Sequence, residues 1–334
     1  MKFEFTQFYS SNASVLKYLA KFTFLNNHFL ILFFELMLFN SFPIQYNEPL
    51  FRPPSEAESL ILQVTYGCSW NKCAFCEMYS SKSFKIRNEE EIIKDINSTA
   101  HAYQGIRKIF LADGNPMILA TKKILPILYA IKNTFPKVRR VSTYALPRDI
   151  LSKSLEELKT LREAGLNLIY IGIESGDDEL LLKINKGETY NSTVDGLFKA
   201  KEAGIKLSVI IINGLGGTEY SDQHAINSAK ILNEIQPEFA SALVLSFPFG
   251  TEHFKKRFNG NFIPMNIIDL FKEMKTFISY SDLKSTIFRS NHASNYLVLS
   301  GILSRDKQQF IDQINNAINN PETAGLREEW QRGL

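Results

Sequence analysis

All three cysteines of the 334-residue chain lie within one stretch of nine residues, with the spacing C-x4-C-x2-C. Cysteines that serve only as small apolar side chains are scattered among buried positions. Cys68, Cys73 and Cys76 are instead close together, and no cysteine occurs elsewhere in the sequence. The clustering therefore points to one short loop whose three thiols share a ligand.

The number of cysteines narrows the choice of that ligand. A structural zinc site and a fully ligated iron–sulfur cluster both take four protein ligands. Three thiolates on a four-iron cluster leave one iron open, and an open metal position is what a catalytic site needs. The alternatives are a chance cluster of cysteines and a zinc knuckle completed by a distant Asp or His. No histidine lies near the loop, since the five are His28, His101, His224, His253 and His292.

The residues around the cysteines resemble the cluster loop of radical S-adenosylmethionine (SAM) enzymes. The usual spacing in that family is C-x3-C-x2-C with an aromatic residue before the last cysteine, a position held here by Phe75. The first gap of this chain is one residue longer, a variant that some subfamilies carry. Residues 65–68 and 76–79 also resemble an uncharacterised subfamily, and the resemblance extends from about residue 49 to the C-terminus.

The resemblance implies an enzyme with two cofactors. Cys68, Cys73 and Cys76 would hold one [4Fe–4S] cluster, and the amine and carboxylate of SAM would bind its open iron. An electron from a donor such as flavodoxin or ferredoxin would cleave SAM reductively, and the 5′-deoxyadenosyl radical so formed would take a hydrogen atom from a substrate. The sequence does not specify that substrate.

From residue 49 onward, short β-rich segments alternate with amphipathic helical segments, a pattern typical of βα units and a parallel sheet. The predicted strands span residues 59–65, 108–112, 138–144, 168–173, 206–212 and 239–245. The predicted helices span residues 88–103, 121–134, 152–164, 190–203 and 222–235, the third with Ser152 as its N-cap. Since a full barrel has eight units, the sequence predicts an α/β fold of the partial (β/α)6 TIM-like barrel kind. Radical SAM enzymes are known for this fold.

The rest of the chain is interpreted as part of the same domain. Residues 248–264 are predicted to form a loop, 267–277 a helix, 284–288 an extra strand and 305–319 a C-terminal helix. No linker that would separate two domains is visible. We therefore expect residues 46–334 to form one core barrel with a C-terminal helical segment.

The first 45 residues are interpreted as an N-terminal extension. Residues 22–42 are rich in Phe and Leu, but their longest uninterrupted apolar run stops at Glu35, far short of the ~20 residues that a membrane helix needs. A signal-peptide cleavage site is also lacking. We expect Met37 to be the natural start, with residues 1–36 as translated upstream sequence or a disordered segment.

Composition and charge exclude several classes of protein. The content of 45% hydrophobic and 22% charged residues is that of an ordinary globular protein. A net charge of +3 gives no strong signal for nucleic acid or an anionic membrane. Three closely spaced cysteines exclude a disulfide framework, and reduced thiolates indicate the cytoplasm.

By the resemblance, five residues at strand ends and in the loop are expected to contact SAM: Phe75, Asp113, Gly114, Glu174 and Gly214. Phe75 would pack near the adenine of SAM, and Gly214 would support that adenine. Asp113 and Gly114 would contact the amine of SAM. Glu174 would contact either the ribose or the charged end of SAM. Each residue also has a structural alternative. These are ordinary hydrophobic packing for Phe75, a β-turn for Asp113 and Gly114, an ion pair for Glu174 and a tight turn for Gly214.

The sequence thus predicts a radical SAM enzyme of unknown substrate, whose pocket the polar stretch 289–296 is expected to line. No catalytic residue is assigned beyond the cofactor contacts. The alternative function is a non-catalytic metal-binding module, associated with zinc or RNA, that uses the barrel as a scaffold.

Overall fold

The computed structural model describes residues 44–102 and 105–333, and the fold concerns the unit that begins at Tyr46. The interpretation of the N-terminal extension lies almost entirely outside the described residues. Within the described ranges, every helix is too short or too polar to cross a membrane.

One sheet dominates the described part of the chain. Its strands are β1 (Leu60–Gln63), β4 (Lys108–Ala112), β5 (Arg140–Tyr144), β6 (Leu166–Glu174), β7 (Lys206–Asn213), β8 (Phe239–Val244), β9 (Ile287–Arg289) and β10 (Ser300–Ile302). They are hydrogen-bonded in that order, all parallel except β10, which is antiparallel to β9. A separate pair, β2 (Thr65–Tyr66) and β3 (Lys85–Ile86), flanks the cysteine loop. Because β1 and β10 are the ends of the order, the barrel is open, and the predicted partial barrel is confirmed.

Helices follow the first six parallel strands in turn, and a last helix follows β10. They are α1 (Glu89–Ala102), α2 (Thr121–Thr134), α3 (Pro147–Leu151), α4 (Leu155–Glu163), α5 (Asp178–Lys183), α6 (Tyr190–Glu202), α7 (Gly217–Ile235), α8 (Thr251–Arg257), α9 (Ile267–Tyr280) and α10 (Leu303–Asn319). Most of the long helices match the predicted ones closely, because their apolar faces repeat at the helical period. Helix α7 begins at Gly217, five residues before its predicted start at residue 222.

The predicted N-cap of the helix after β5 is wrong. The hydroxyl of Ser154 accepts a hydrogen bond from the backbone N–H of Glu157 at 3.1 Å, and the Glu157 carboxylate accepts one from the backbone of Ser154 at 2.8 Å. This reciprocal pair is a capping box. Ser152 instead follows the short helix α3, so the predicted helix had merged the end of α3 with α4.

The segment 248–264, predicted as a loop, contains helix α8. With seven residues, α8 is too short to show a helical period, and its buried face consists of Phe254. That ring packs against Phe258 and Phe262, at centroid distances of 5.6 and 4.6 Å. Helix α5 and strand β10 were missed for the same reason, because short elements are held by tertiary packing rather than by their own pattern.

Inward-facing side chains fill the lower part of the barrel. Ile61, Phe110, Leu168 and Tyr170 form a buried cluster, against which Tyr144 packs. The rings of Phe110, Tyr144 and Tyr170 meet edge to face, with centroids 5.0 to 6.1 Å apart. These contacts leave the upper layers of the barrel, toward the carboxyl ends of the strands, for the site.

A buried carboxylate closes the opposite end. Glu56 lies just before β1 and is fully buried. It accepts hydrogen bonds from the Tyr170 hydroxyl at 2.6 Å and the Ser142 hydroxyl at 3.0 Å, and it forms an ion pair with Arg140 at 2.7 Å. Because its charge is fully paired, this group stabilises the floor of the barrel rather than offering a site.

Candidate active site

The cysteine loop is fixed to the carboxyl end of β4. Gly67, at φ +69°, starts the loop in the left-handed region, and its backbone N–H donates to Asp113 Oδ2 at 3.0 Å. The N–H of Gly114 donates in turn to the carbonyl of Gly67 at 3.0 Å. A side chain at Gly114 would place its Cβ 2.6 Å from the Cβ of Cys68. Gly114 is therefore needed so that the loop can approach the strand end.

Asp113 lies beneath this loop and is fully buried. Its carboxylate forms an ion pair with Lys82 at 2.9 Å and accepts a hydrogen bond from Gln63 at 3.1 Å, in addition to the bond from Gly67. Both oxygens are thus engaged by the chain itself. A contact of Asp113 with the SAM amine stays a prediction, and the visible role of this residue is to hold the loop.

Asn115 forms a second anchor, which the sequence did not reveal. Its side chain accepts from the backbone N–H of Ser69 at 3.0 Å and donates to the Ser69 hydroxyl and to Asp149, each at 2.8 Å. Burial raises the pKa of the Asp149 carboxyl, although the bond from Asn115 opposes that shift. The first turn of α3 is thereby tied to the first half of the cysteine loop.

Helix α8 holds the second half of the loop. Arg257 donates to the carbonyl of Cys73 at 2.7 Å and also pairs with the carboxylate of Glu77. His253 lies 3.0 Å from the same carboxylate. On the other side, the backbone N–H of Ala74 donates to the carbonyl of Ile184 at 2.8 Å. The loop therefore touches the segments that follow β4, β6 and β8, and Asn115 links it to the segment that follows β5.

Glu174, at the end of β6, forms a buried ion pair with Lys186. The two side chains lie 2.8 Å apart, and the residues are 7% and 4% exposed. Glu174 has φ +63°, a strained value for a residue other than glycine. Gly172 makes room for its carboxylate, since a Cβ at that position would overlap with Oε1 of Glu174. The structure thus contains the ion pair considered as an alternative, and a SAM contact of Glu174 stays a prediction.

Lys186 also faces the cysteine loop. Its ammonium lies 5.9 Å from the centroid of the Phe75 ring. Burial lowers the pKa of Lys186, but the charges of Glu174 and Cys73 outweigh burial, so the net shift is upward and the group stays protonated.

The thiols of Cys73 and Cys76 stay protonated at neutral pH when no metal is bound. Burial raises the pKa of Cys73 to about 11 and that of Cys76 to about 12, while Lys186 and Arg257 act on Cys73 in the opposite direction. Metal binding must therefore displace the thiol protons. Among residues 44–102 and 105–333, no three His, Cys, Asp or Glu side chains are placed to hold a single metal ion. A four-iron cluster makes a different demand, because each thiolate ligates its own iron.

Phe75 and the turn after β7 lie on one apolar surface. Phe75 packs against a cluster that includes Ala74, Ile212 and Leu245. Gly214, at φ +83°, donates its N–H to the buried carboxylate of Glu273 at 2.6 Å, which locks the turn against α9. Phe75 and the residues beside Gly214 are therefore brought together, as a surface for a flat apolar ring requires.

An open parallel barrel with a three-thiol loop at its carboxyl end has the layout of a metal-dependent barrel enzyme. Residues 62–229, half of the chain, match the radical SAM superfamily. The chain belongs to that superfamily and is an enzyme. The cofactors of this superfamily are a [4Fe–4S] cluster and SAM, and the donor set of three thiols beside two cations fits such a cluster.

Known relatives match about half of the chain. It is 26% identical to the heme chaperone HemW of Bacillus subtilis over 172 residues, 51% of this chain and 45% of that protein. It is 27% identical to GTP 3′,8-cyclase of Listeria welshimeri over 181 residues, 52% of this chain and 51% of that protein. The solved structure of coproporphyrinogen III oxidase (HemN) from Escherichia coli, a radical SAM enzyme, is similar with a TM-score of 0.52 and 18% identity, over 66% of this chain and 52% of that one. The chain spans about half the length of these relatives, and at 18% identity the structural likeness concerns the fold alone.

Proposed function

We propose that Cys68, Cys73 and Cys76 ligate one [4Fe–4S] cluster and that the enzyme uses it to abstract a hydrogen atom from its substrate. When bound, the cluster supplies an electron that cleaves SAM and so provides a 5′-deoxyadenosyl radical. The observation that carries the proposal is the cysteine loop itself, which the segments after β4, β6 and β8 hold at the mouth of the barrel.

Two basic residues of the chain prepare the site for the negative charges of the cysteine thiolates and of the SAM carboxylate. Lys186 and Arg257 stand beside the loop and offset the charge that three thiolates and a SAM carboxylate bring. Glu174 keeps Lys186 in place and offers an acceptor for the ribose hydroxyls or the ammonium of SAM. Asp113 and Asn115 hold the backbone of the loop, so that the cysteines keep their positions before the cluster is present.

The adenine is assigned to the apolar surface that Phe75 shares with Ile212 and Leu245. Gly214 supports this surface from below, because its turn is fixed by Glu273. The electron donor is inferred to be a flavodoxin or a ferredoxin, and the cytoplasm is inferred as the compartment because the three cysteines are free thiols.

Anaerobic reconstitution with iron and sulfide, followed by dithionite and SAM, tests the proposal. We expect the spectrum of a four-iron cluster and the formation of 5′-deoxyadenosine, both lost in the Cys73→Ala protein. The Arg139→Gln protein, changed at an exposed position remote from the loop, serves as the control. A protein that binds metal but forms no 5′-deoxyadenosine would contradict the proposal and favour the non-catalytic module.

A further inference from the structure

Arg289, at the end of β9, faces the interior of the barrel. The strand register places Arg289 beside Ser241, Ser241 beside Ile210, and Ile210 beside Gly172, so the four residues form one layer. Phe239, two residues before Ser241 on the same face of β8, packs against the aromatic cluster inside the barrel. The Arg289 guanidinium lies 6.0 Å from the centroid of the Phe239 ring. The layer of Arg289 therefore points inward.

The Arg289 guanidinium contacts the Phe239 ring, but no carboxylate in the described part of the chain compensates its charge. Its side chain is half-buried, yet it forms no ion pair or hydrogen bond with any residue in the ranges 44–102 and 105–333. A guanidinium cannot lose its proton in a protein, so partial burial carries a desolvation cost that no acid in these ranges offsets. A ligand that brings a negative charge would supply the missing partner.

A hydroxyl group beside Arg289 also lacks a partner among the described residues. Ser241 is directly beside Arg289 in the strand register, and its hydroxyl makes no hydrogen bond within that part of the chain. This hydroxyl is therefore free to contact a ligand that Arg289 holds.

The position of this layer relates it to the cofactor site. The carboxylate of Glu174 folds back against Gly172, the β6 member of the layer, across a bulge at which the register of β6 and β7 shifts. Lys186, the partner of Glu174, faces the cysteine loop. A molecule held beside Arg289 would therefore lie within the barrel, on the same interior surface as Glu174.

We propose that Arg289, with the hydroxyl of Ser241, binds an anionic group of the substrate, either a carboxylate or a phosphate. The planar guanidinium presents paired N–H groups to two oxygens of either anion, and the hydroxyl supplies a further donor. This inference rests on the proposed function, because it takes the barrel interior beside Gly172 and Glu174 as the substrate position. It names the chemical class of a substrate that the sequence leaves open.

The test compares anions on the reconstituted 334-residue chain. The Tm is measured in inorganic phosphate, in acetate and in chloride of the same ionic strength, for the wild type and for Arg289→Gln, Arg289→Lys and Arg139→Gln. At about tenfold the Kd, we expect phosphate or acetate to raise the Tm of the wild type by about 2–4 °C above the value in chloride. The rise should persist in Arg139→Gln, shrink in Arg289→Lys and vanish in Arg289→Gln. Which anion acts distinguishes a phosphate from a carboxylate.

In chloride, Arg289→Gln should be as stable as the wild type or more so, because it removes a charge that lacks a partner in the described chain. The proposal is overturned if neither anion acts, if the rise persists in Arg289→Gln, or if Arg289→Gln is much less stable in chloride. Should Arg289→Gln fail to fold, an unchanged rise in Arg289→Lys overturns the proposal in its place. Because this experiment involves no SAM cleavage, its failure is separate from a failure to form 5′-deoxyadenosine.

Discussion

Glu174 and Lys186 show how single residues combine structure and chemistry at this site. Two opposite charges with so little exposure are tolerated because they lie 2.8 Å apart. Removing one partner leaves an uncompensated buried charge, which typically costs about 3–5 kcal/mol, whereas removing both is far less harmful. Variants of this pair can therefore distinguish an effect on the stability of the fold from an effect on cofactor binding.

We expect Lys186→Met to lower the free energy of unfolding by about 3–5 kcal/mol, since Glu174 is then buried without a partner. The double variant Glu174→Gln/Lys186→Met should recover most of that loss. Urea unfolding of the two proteins measures the difference. Equal destabilisation of both would mean that the ion pair is not what the fold requires at this position.

A separate expectation concerns Glu174→Gln alone, which keeps the shape of the side chain. Like Lys186→Met, this protein should lose stability, because Lys186 is then buried without a carboxylate partner. We expect the folded protein to load its cluster and to bind SAM about 10–100-fold more weakly, the range for a lost hydrogen bond to a charged group. Isothermal titration of SAM into reconstituted protein gives the affinity. Unchanged affinity would make Glu174 a structural residue and place the SAM contact elsewhere.

At the scale of elements, α8 and α9 determine how firmly the mouth of the barrel is held. Helix α8 reaches the cysteine loop through Arg257, and α9 fixes the turn after β7 through Glu273. Both contacts join a helix to a backbone group of a loop that has little regular structure. Each element therefore acts on the site without touching a reacting atom.

Arg257→Met should weaken retention of the cluster, because the loop loses the bond to the carbonyl of Cys73 and a nearby positive charge. Lys256→Met removes an equal charge from an exposed position on the same helix and serves as the matched control. The rate of iron release to a chelator under anaerobic conditions is the measurement. Similar rates in the two variants would exclude a specific role of Arg257.

Glu273 predicts a pH dependence of stability. Burial raises the pKa of its carboxyl from 4.5 to about 8, although the bond from Gly214 opposes the shift. Between these values the folded protein keeps a proton that the unfolded chain releases. The stabilisation that this proton gives the folded protein is fully present below pH 4.5. It is lost as the pH rises through 8, at about 1.4 kcal/mol per pH unit.

His224 affects the pH dependence of stability in the opposite direction, since burial lowers its pKa from 6.5 to about 4. The stabilisation from neutral His224 is therefore lost only as the pH falls below 6.5. The window from pH 6.5 to 8 therefore isolates Glu273. We expect wild-type stability to fall by about 2 kcal/mol across it, and Glu273→Gln to remove that fall. Urea unfolding at both pH values provides the comparison, and an equally steep loss in the variant would refute the assignment.

At the scale of the whole molecule, an open barrel has a floor, a filled lower interior and a polar upper region. Glu56 closes the floor, and aromatic side chains fill the level of Tyr144 and Tyr170. Above them lie the layer of Arg289 and the Glu174–Lys186 pair. This order places the charged groups that could meet a ligand toward the carboxyl ends of the strands, where active sites of barrels lie.

The unit from Tyr46 to the C-terminus contains the whole of this core. We expect deletion of residues 1–36 to leave a protein that folds and loads its cluster, with a Tm within about 2 °C of the full chain. Differential scanning calorimetry and the cluster spectrum test this. Aggregation of the shortened protein, or failure to take up iron, would show that these residues belong to the fold.

The sequence by itself was sufficient for the fold class, and it identified the cysteine loop as the candidate ligand. Both come from local patterns, since the alternation of strands and helices indicates βα units and the spacing of Cys68, Cys73 and Cys76 predicts a shared metal cluster. Short elements such as α8 escaped because seven residues do not define a period. The position of the N-cap at Ser154 was missed by two residues, as helix boundaries depend on which hydroxyl actually meets the backbone.

Only the tertiary structure decided the partners of the charged groups. That Lys186 reaches Glu174, that Arg257 reaches Cys73, and that Arg289 has no such partner among the described residues depend on strand register and on the folding of loops distant in sequence. An ion pair leaves no periodic trace in a sequence, because its energy depends on a distance and on burial rather than on spacing along the chain. The sequence therefore predicted the class of chemistry. The electrostatics of the site, in contrast, depend on the tertiary structure, because the barrel brings these side chains together.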